Sequence, residues 1–337
     1  MTIQHCPVEV LDRIFEWVAF LSPRNAPAAL SSVMMVCSHF QTVAKRHLLR
    51  IICLPTAEKT VAFVSFLKEA VNSGEYATSF LPIEHLALIG KLRIMRGSMF
   101  KSRTEAEAEA EHSAPFIIST AAPSLRSLTL FGIDAEHTSE IVNDQRVYCT
   151  LCVPDSIKFP LLCDLVALEQ RVLTFSLLNE NERAYQSRYP NLRRLYVLGY
   201  HTEGNLLPSA LPSLDCLRLE IFDSTYVITP PRERIGHILS LIIDAPRYSE
   251  VLYNGYTDVA QSRAEYNAMV LEYERLAKEV GGLDGCRVVI PPDDHTSYVD
   301  RDRVLLCWMD VVGGGAGCWN MDWRPTVPYN GDYSNYD

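Results

Sequence analysis

No stretch of this 337-residue chain approaches the ~18 uncharged apolar residues that a membrane span needs. A basic surplus is missing too. The chain holds 31 Lys/Arg against 41 Asp/Glu, a net charge of −10, which argues against the clustered positive surface of a nucleic-acid binder. The first residues lack a basic flank, and Glu9, Asp12, Arg13 and Glu16 interrupt the apolar positions there, so no secretory signal is expected. These absences predict a cytoplasmic or nuclear protein without choosing between the two. Catalytic motifs are equally scarce: there is no Gly-x-Ser-x-Gly elbow and no His-Glu-x-x-His helix. Gly313-Gly314-Gly315-Ala316-Gly317 lacks the Lys-Ser/Thr of a phosphate loop and reads as a flexible turn. The expectation is a protein that is not an enzyme and carries no cofactor and no metal.

What is present is an ordinary globular composition, 48% hydrophobic and 21% charged, at a length that suggests about two domains. Ten cysteines in a chain expected inside the cell read as reduced thiols. Cys149 and Cys152 form the one Cys-x-x-Cys, but Cys163 and His137 stand at spacings unlike a four-ligand zinc site, and Pro154 follows too soon for a redox helix. Asp293-Asp294-His295 is explained by a polar turn after Pro291-Pro292. Charge is uneven: residues 1–54 hold five Lys/Arg against three Asp/Glu, residues 291–337 three against eight. The acidic end reads as solvated surface, with a basic partner left open.

At the N-terminus, Leu11, Ile14, Phe15 and Val18 fall at i, i+3, i+4 and i+7, one apolar stripe of a helix that Pro7 can open without losing a hydrogen bond. After a join punctuated by Pro23, Asn25 and Pro27, Leu30, Val33, Val36, Cys37 and Phe40 repeat the device, and Leu48-Leu49-Arg50-Ile51-Ile52-Cys53-Leu54 follows. Each stripe alone is what any helical core would show. In order, however, Pro7-Val8-Glu9-Val10-Leu11-Asp12-Arg13-Ile14-Phe15, then Val36-Cys37-Ser38-His39-Phe40, then an apolar strand, the block resembles an F-box. Cys6 stands where a leucine is usual, and Phe40 where tryptophan is commoner. The resemblance implies a three-helix domain over residues 1–54 that docks on a Skp-type adaptor and through it a cullin. Pro7, Val8, Leu11, Ile14, Phe15, Leu30, Val33, Val36 and Phe40 would divide between its core and an apolar adaptor patch.

Further on, Pro123-Ser124-Leu125-Arg126-Ser127-Leu128-Thr129-Leu130 is matched by Pro190-Asn191-Leu192-Arg193-Arg194-Leu195-Tyr196-Val197 and Pro212-Ser213-Leu214-Asp215-Cys216-Leu217-Arg218-Leu219. Weaker copies begin at Ile83, Leu162 and Ile238. Alternating leucines put one face of a short strand into a core that a single copy cannot build, the logic of a stacked array. The units resemble leucine-rich repeats, although their first positions lie 22 to 42 residues apart and Ile133, Tyr200 and Phe222 stand where asparagine is usual. An ordinary α/β domain with leucine-rich strands is the plainer alternative.

The expected fold is thus α+β or α/β, with the F-box followed by an irregular leucine-rich-repeat-like solenoid over 55–290 and a tail segment over 291–337. Helices are expected at 57–71 and about 258–280, and a last strand at Val288-Val289-Ile290. The acidic run at 101–114 is expected as an exposed loop or short helix without a core face, and 134–158 as a polar insertion. If the leucines face inward, the alternate positions form an open row for a protein target: Ser127, Thr129 and Phe131, then Arg194, Tyr196 and Leu198, then Cys216, Arg218 and Glu220, then Ser240, Ile242 and Asp244. The leading function is a substrate receptor of a ubiquitin ligase. Its rivals are a non-degradative F-box scaffold and, more remotely, an enzyme using the cysteines or the Asp-His cluster.

Overall fold

The computed structural model describes residues 6–21, 26–72, 82–89, 105–131, 140–142, 145–147, 157–168, 188–200, 211, 213–221, 240–244, 286–289 and 301–319, with most positions between 263 and 275. The fold is mixed helix and strand around a parallel sheet. Three helices come first: α1 (Val8–Leu21), α2 (Ala26–Met34) and α3 (Ser38–Leu48). Pro7 opens α1, its carbonyl accepting from Val10 and Leu11 at 3.1 Å each. Cys37 caps α3 with its thiol, which accepts the Phe40 N–H at 3.5 Å. Strand β1 (Ile51–Leu54) and helix α4 (Ala57–Asn72) follow, then β2 (His85–Ile89), α5 (Glu105–Ala121) and β3 (Ser127–Phe131). A small antiparallel hairpin, β4 (Glu140–Val142) with β5 (Gln145–Val147), lies within the segment read as a polar insertion. Strands β6 (Asp164–Leu168), β7 (Arg194–Tyr200), β8 (Cys216–Ile221), β9 (Ser240–Asp244) and β10 (Cys286–Val289) complete the sheet, and helix α6 (Arg301–Val312) with a 3-10 turn at Gly317–Trp319 ends the described chain.

Eight strands pair in parallel in the order β1-β2-β3-β6-β7-β8-β9-β10, each laid beside its predecessor in the sheet. Among the described strands the winding never reverses, so they form no crevice of the kind that binds ligands in doubly wound sheets. Register follows the leucines. Leu86, Leu128, Leu165, Leu195, Leu217 and Leu241 stand side by side, as do Leu88, Leu130, Ala167, Val197, Leu219 and Ile243. With a side-chain period of two, both rows fall on one face. There the members on β2, β3, β6, β7 and β8 join Val64 and Leu67 of α4 and Ala114, Ile117 and Ile118 of α5 in one core.

The entry to each strand repeats a single device. The Arg50 carbonyl accepts from both Glu84 and His85, Glu84 from Arg126 and Ser127, Arg126 from Cys163 and Asp164, Cys163 from Arg193 and Arg194, and Arg193 from Asp215 and Cys216. The polar residue after proline also ties one unit to the last. Ser124 Oγ donates to the Ile83 carbonyl, Asn191 Nδ2 to Pro160 and Ser213 Oγ to Pro190. Recurrence in the sequence thus has a hydrogen-bonded equivalent from β2 to β8.

The opposite face of the sheet is not open. Ala87, Ile89, Val166 and Tyr196 are buried there with Leu11, Phe15, Leu30 and Phe40 of the N-terminal helices and Val304, Cys307, Trp308 and Val312 of α6. The first three helices, the sheet and the C-terminal helix therefore share one core, and β1, read as trailing the first domain, is the first strand of the sheet. Segment 291–337, expected as a tail, supplies α6 to that core.

Two further expectations change. The acidic run folds as the first part of α5, where Ala110 and Ala114 are buried against the core while Glu105 and Glu109 stay exposed; alanines alternating with glutamates provide the core face that the charge pattern hid. Cys307 is disulfide-bonded, whereas Cys6, Cys37, Cys163 and Cys216 are free thiols. After α6, Gly317 (φ +54°) packs so closely that a Cβ would meet Val311 at 2.6 Å and the Cys307 carbonyl at 2.8 Å. That turn is fitted to the core. The described residues between 263 and 275 are helical, with Tyr266 and Val270 inward, and β10 covers two of the three strand residues expected near 288–290. The remainder of that helix, its Gly281-Gly282 end, Cys149, Cys152, His137 and Asp293-Asp294-His295 lie outside the described residues.

Candidate functional site

Helix α1 carries two apolar stripes. Leu11, Phe15 and Ala19 point inward, and Phe15 meets Phe40 of α3 edge to face at 5.5 Å. Val10, Ile14 and Trp17 occupy the other side at i, i+4 and i+7, and remain exposed: Ile14 at 45% and Trp17 at 68%. Val8 and Pro7 are exposed at the start of the helix. The turn from α2 to α3 adds Met35, 87% exposed, and Val36, 59% exposed. Scattered exposed apolar residues need no explanation, but a tryptophan, an isoleucine and a valine in line along one helix do.

Of the residues expected to share core and patch, Leu11, Phe15, Leu30 and Phe40 are core. Ile14, Val36, Val8 and Pro7 are on the surface, and Val33 is half-buried. Val10, Trp17 and Met35 were not singled out. Their signal was available: Val10, Ile14 and Trp17 form a second stripe, overshadowed by the first.

A charged junction holds the helices on the sheet edge. Arg50, at the start of β1, donates to both Glu84 carboxylate oxygens at 2.9 and 3.0 Å and to Glu16 of α1 at 3.0 Å. Burial works against the guanidinium charge, yet the hydrogen bonds that Arg50 donates to Glu84 and Glu16 outweigh it and hold the Arg50 pKa above its ordinary value. The hydrogen bond from Arg50 in turn lowers the Glu16 pKa. Beside it, buried His47 contacts Asp12 of α1 at 2.9 Å. The outer stripe of α1 is thus displayed on a helix fixed from behind.

The row expected to meet a target is placed differently. Ser127, Thr129, Tyr196 and Arg218 are buried, because α6 crosses β2 and β3 and Trp319 lies edge-on to Tyr196 at 6.3 Å. The side chains of Phe131 and Glu220 lie outside the described set. Arg194 is partly exposed, bound through two hydrogen bonds to Asp164 and set 5.7 Å from the centre of the Trp319 ring. Arg218 stacks over Tyr196 at 5.1 Å. An open strand face was expected because nothing near those strands in sequence signals its cover; α6 arrives from more than one hundred residues beyond Tyr196. Aromatic and arginine side chains here pack on one another.

One pair on this row has the chemistry of a nucleophile and base. His85 Nδ1 lies 2.8 Å from Ser127 Oγ, and burial pushes the His85 pKa down to about 4. Ser127, however, is 2% exposed between neighbouring strands, so a substrate has no approach to it. Among the described residues no group of three His, Cys, Asp or Glu is placed to hold a metal ion. None of the helices described is long and apolar enough to cross a membrane. No family model matches the chain, and neither a curated protein nor a solved structure matches it.

Proposed function

We propose that this chain is the substrate-receptor subunit of a cullin-type ubiquitin ligase, with α1–α3 as an F-box that docks on a Skp-type adaptor. The observation that carries the reading is the outward stripe Val10, Ile14 and Trp17, on a helix whose other side is committed to the core. Docking removes this apolar area from water, and a large aromatic such as Trp17 is the kind of anchor that dominates interface energy. The sheet is read as a degenerate leucine-rich-repeat array. Strands added in sheet order and the recurring carbonyl at each strand entry support that reading, and the unequal spacing marks the degeneracy. Such a subunit breaks and makes no bonds. It raises the local concentration of a bound target's lysines near the ubiquitin carrier.

The test is a pull-down with a recombinant Skp-type adaptor. Replacing Val10, Ile14 and Trp17 together with serine should leave the circular dichroism spectrum and melting temperature almost unchanged, since these side chains are exposed. Adaptor affinity should fall at least ~30-fold, the loss of a central anchor of ~2 kcal/mol or more. Undiminished capture by the folded variant sinks the docking face. Capture of the adaptor without ubiquitin on any co-purified protein moves the reading to a non-degradative scaffold.

A further inference from the structure

Met35 is the most exposed of the large apolar side chains among the described residues, at 87%, and it sits in the turn between α2 and α3 beside Val36. The turn is built, not frayed: Met35 N–H donates to Ser32 at 3.3 Å, Val36 N–H to Val33 at 3.1 Å, and Cys37 then caps α3. Hence the backbone of the turn is fixed, and the Met35 side chain stands exposed on it. A methionine in this position has two properties that valine or leucine lack. Its flexible, polarisable chain adapts to a partner surface, and its sulfur is open to oxidants.

Resting on the docking reading above, we propose that Met35 is an oxidation-sensitive modification site that controls adaptor docking. The oxidant class is a peroxide. The sulfur lone pair attacks one peroxide oxygen, the S–O bond forms as the O–O bond breaks, and the other oxygen leaves as hydroxide, which becomes water by taking, through solvent, the proton that the sulfur-bound hydroxyl releases. Sulfur loses two electrons and peroxide gains them. The product is methionine sulfoxide, polar and chiral, with a strong acceptor oxygen where the interface offers apolar surface. Burying that oxygen without a donor opposes docking, while the fold is untouched because the side chain contributes little to the core. Reversal takes a dithiol reductant acting through a sulfoxide reductase, which returns oxygen as water.

The chain supplies its own comparators. Met34 and Met309 carry the same thioether but are only partly exposed and pack against the inner core, so accessibility and not chemistry separates them from Met35. Cys37 is the competing sulfur, half-buried and occupied as the cap of α3.

The experiment treats the full chain with hydrogen peroxide, free and in complex with a recombinant Skp-type adaptor, and follows each sulfur by peptide mass spectrometry. Met35 should gain oxygen first in the free chain and be protected several-fold in the complex. Oxidised free chain should bind the adaptor at least tenfold more weakly, with recovery after sulfoxide reductase. Met35→Leu should lose no affinity on peroxide treatment, and Met35→Gln should bind weakly without it. If the untreated chain does not bind the adaptor, the docking reading itself falls. If it binds and stoichiometric Met35 sulfoxide leaves affinity unchanged, the proposal is overturned while the docking reading stands. A Met35→Leu chain as peroxide-sensitive as the original also overturns it and assigns the effect to another sulfur.

Discussion

At the scale of single residues, two groups at the sheet edge carry opposite commitments to charge. Glu16 is held ionised by Arg50, and its lowered pKa contributes stability that is present above the ordinary carboxylate range and lost as pH falls through its folded value. His85 is held neutral by burial, its pKa moved from 6.5 to about 4. The unfolded chain therefore takes up a proton near pH 6.5 that the folded chain refuses until about pH 4, so acidification through that window favours unfolding. One such group changes stability by at most ~1.4 kcal/mol per pH unit. His85→Gln, which keeps a polar group beside Ser127, should flatten the pH dependence between 6.5 and 4 and leave the steeper loss below the carboxylate range in place. Urea midpoints measured at half-unit intervals of pH will show it; an unchanged slope removes His85 from the account.

At the scale of elements, α6 is the piece whose role the sequence did not announce. Trp308 is buried at its centre, with Val304, Cys307 and Val312 on the same side against Ala87, Ile89 and Tyr196. Replacing Trp308 with alanine should cost ~3–5 kcal/mol, the range for emptying a large aromatic site. Denaturant unfolding of that variant checks the figure, and a loss below ~1 kcal/mol would mean that α6 is only draped on the sheet. The leucine rows, by contrast, were legible, because a period of two over Leu128 and Leu130, repeated at Leu217 and Leu219, is local information. So was the inner stripe of α1. Ile14 was drawn into that stripe by its i+3 relation to Leu11, yet at ~100° per residue it lies about 80° from a face centred between Leu11 and Phe15. Helical geometry turns it outward with Val10 and Trp17. What could not be read was the cover on Tyr196 and Thr129, since contacts between distant segments leave no mark in periodicity. That missing contact made a buried row look like a binding surface.

At the scale of the whole molecule, the shared core changes what counts as a domain. The F-box resemblance implies a helical unit over residues 1–54 with a separate body after it, but Leu11 and Phe15 are buried in a cluster that also contains Ile89, Val166 and Trp308. Across the same junction Arg50 links α1 to β2 through Glu16 and Glu84. On the proposed reading, this fixes the outer stripe of α1 relative to the sheet, so that a target bound to the body would keep a defined position relative to the ligase. Cooperativity follows from the same contacts: elements that share one core lose their partners together. Urea unfolding followed by far-ultraviolet circular dichroism and by tryptophan fluorescence should therefore give coincident single transitions, because Trp17 and Trp308 report from opposite sides of the junction. An isolated fragment of residues 1–54 should show little cooperative structure, with Leu11, Phe15 and Ile51 deprived of α6 and the sheet. A fragment that folds on its own with a sharp transition, or two separated transitions in the full chain, would show that α1–α3 stand independently of the body and that the adaptor face can move relative to it.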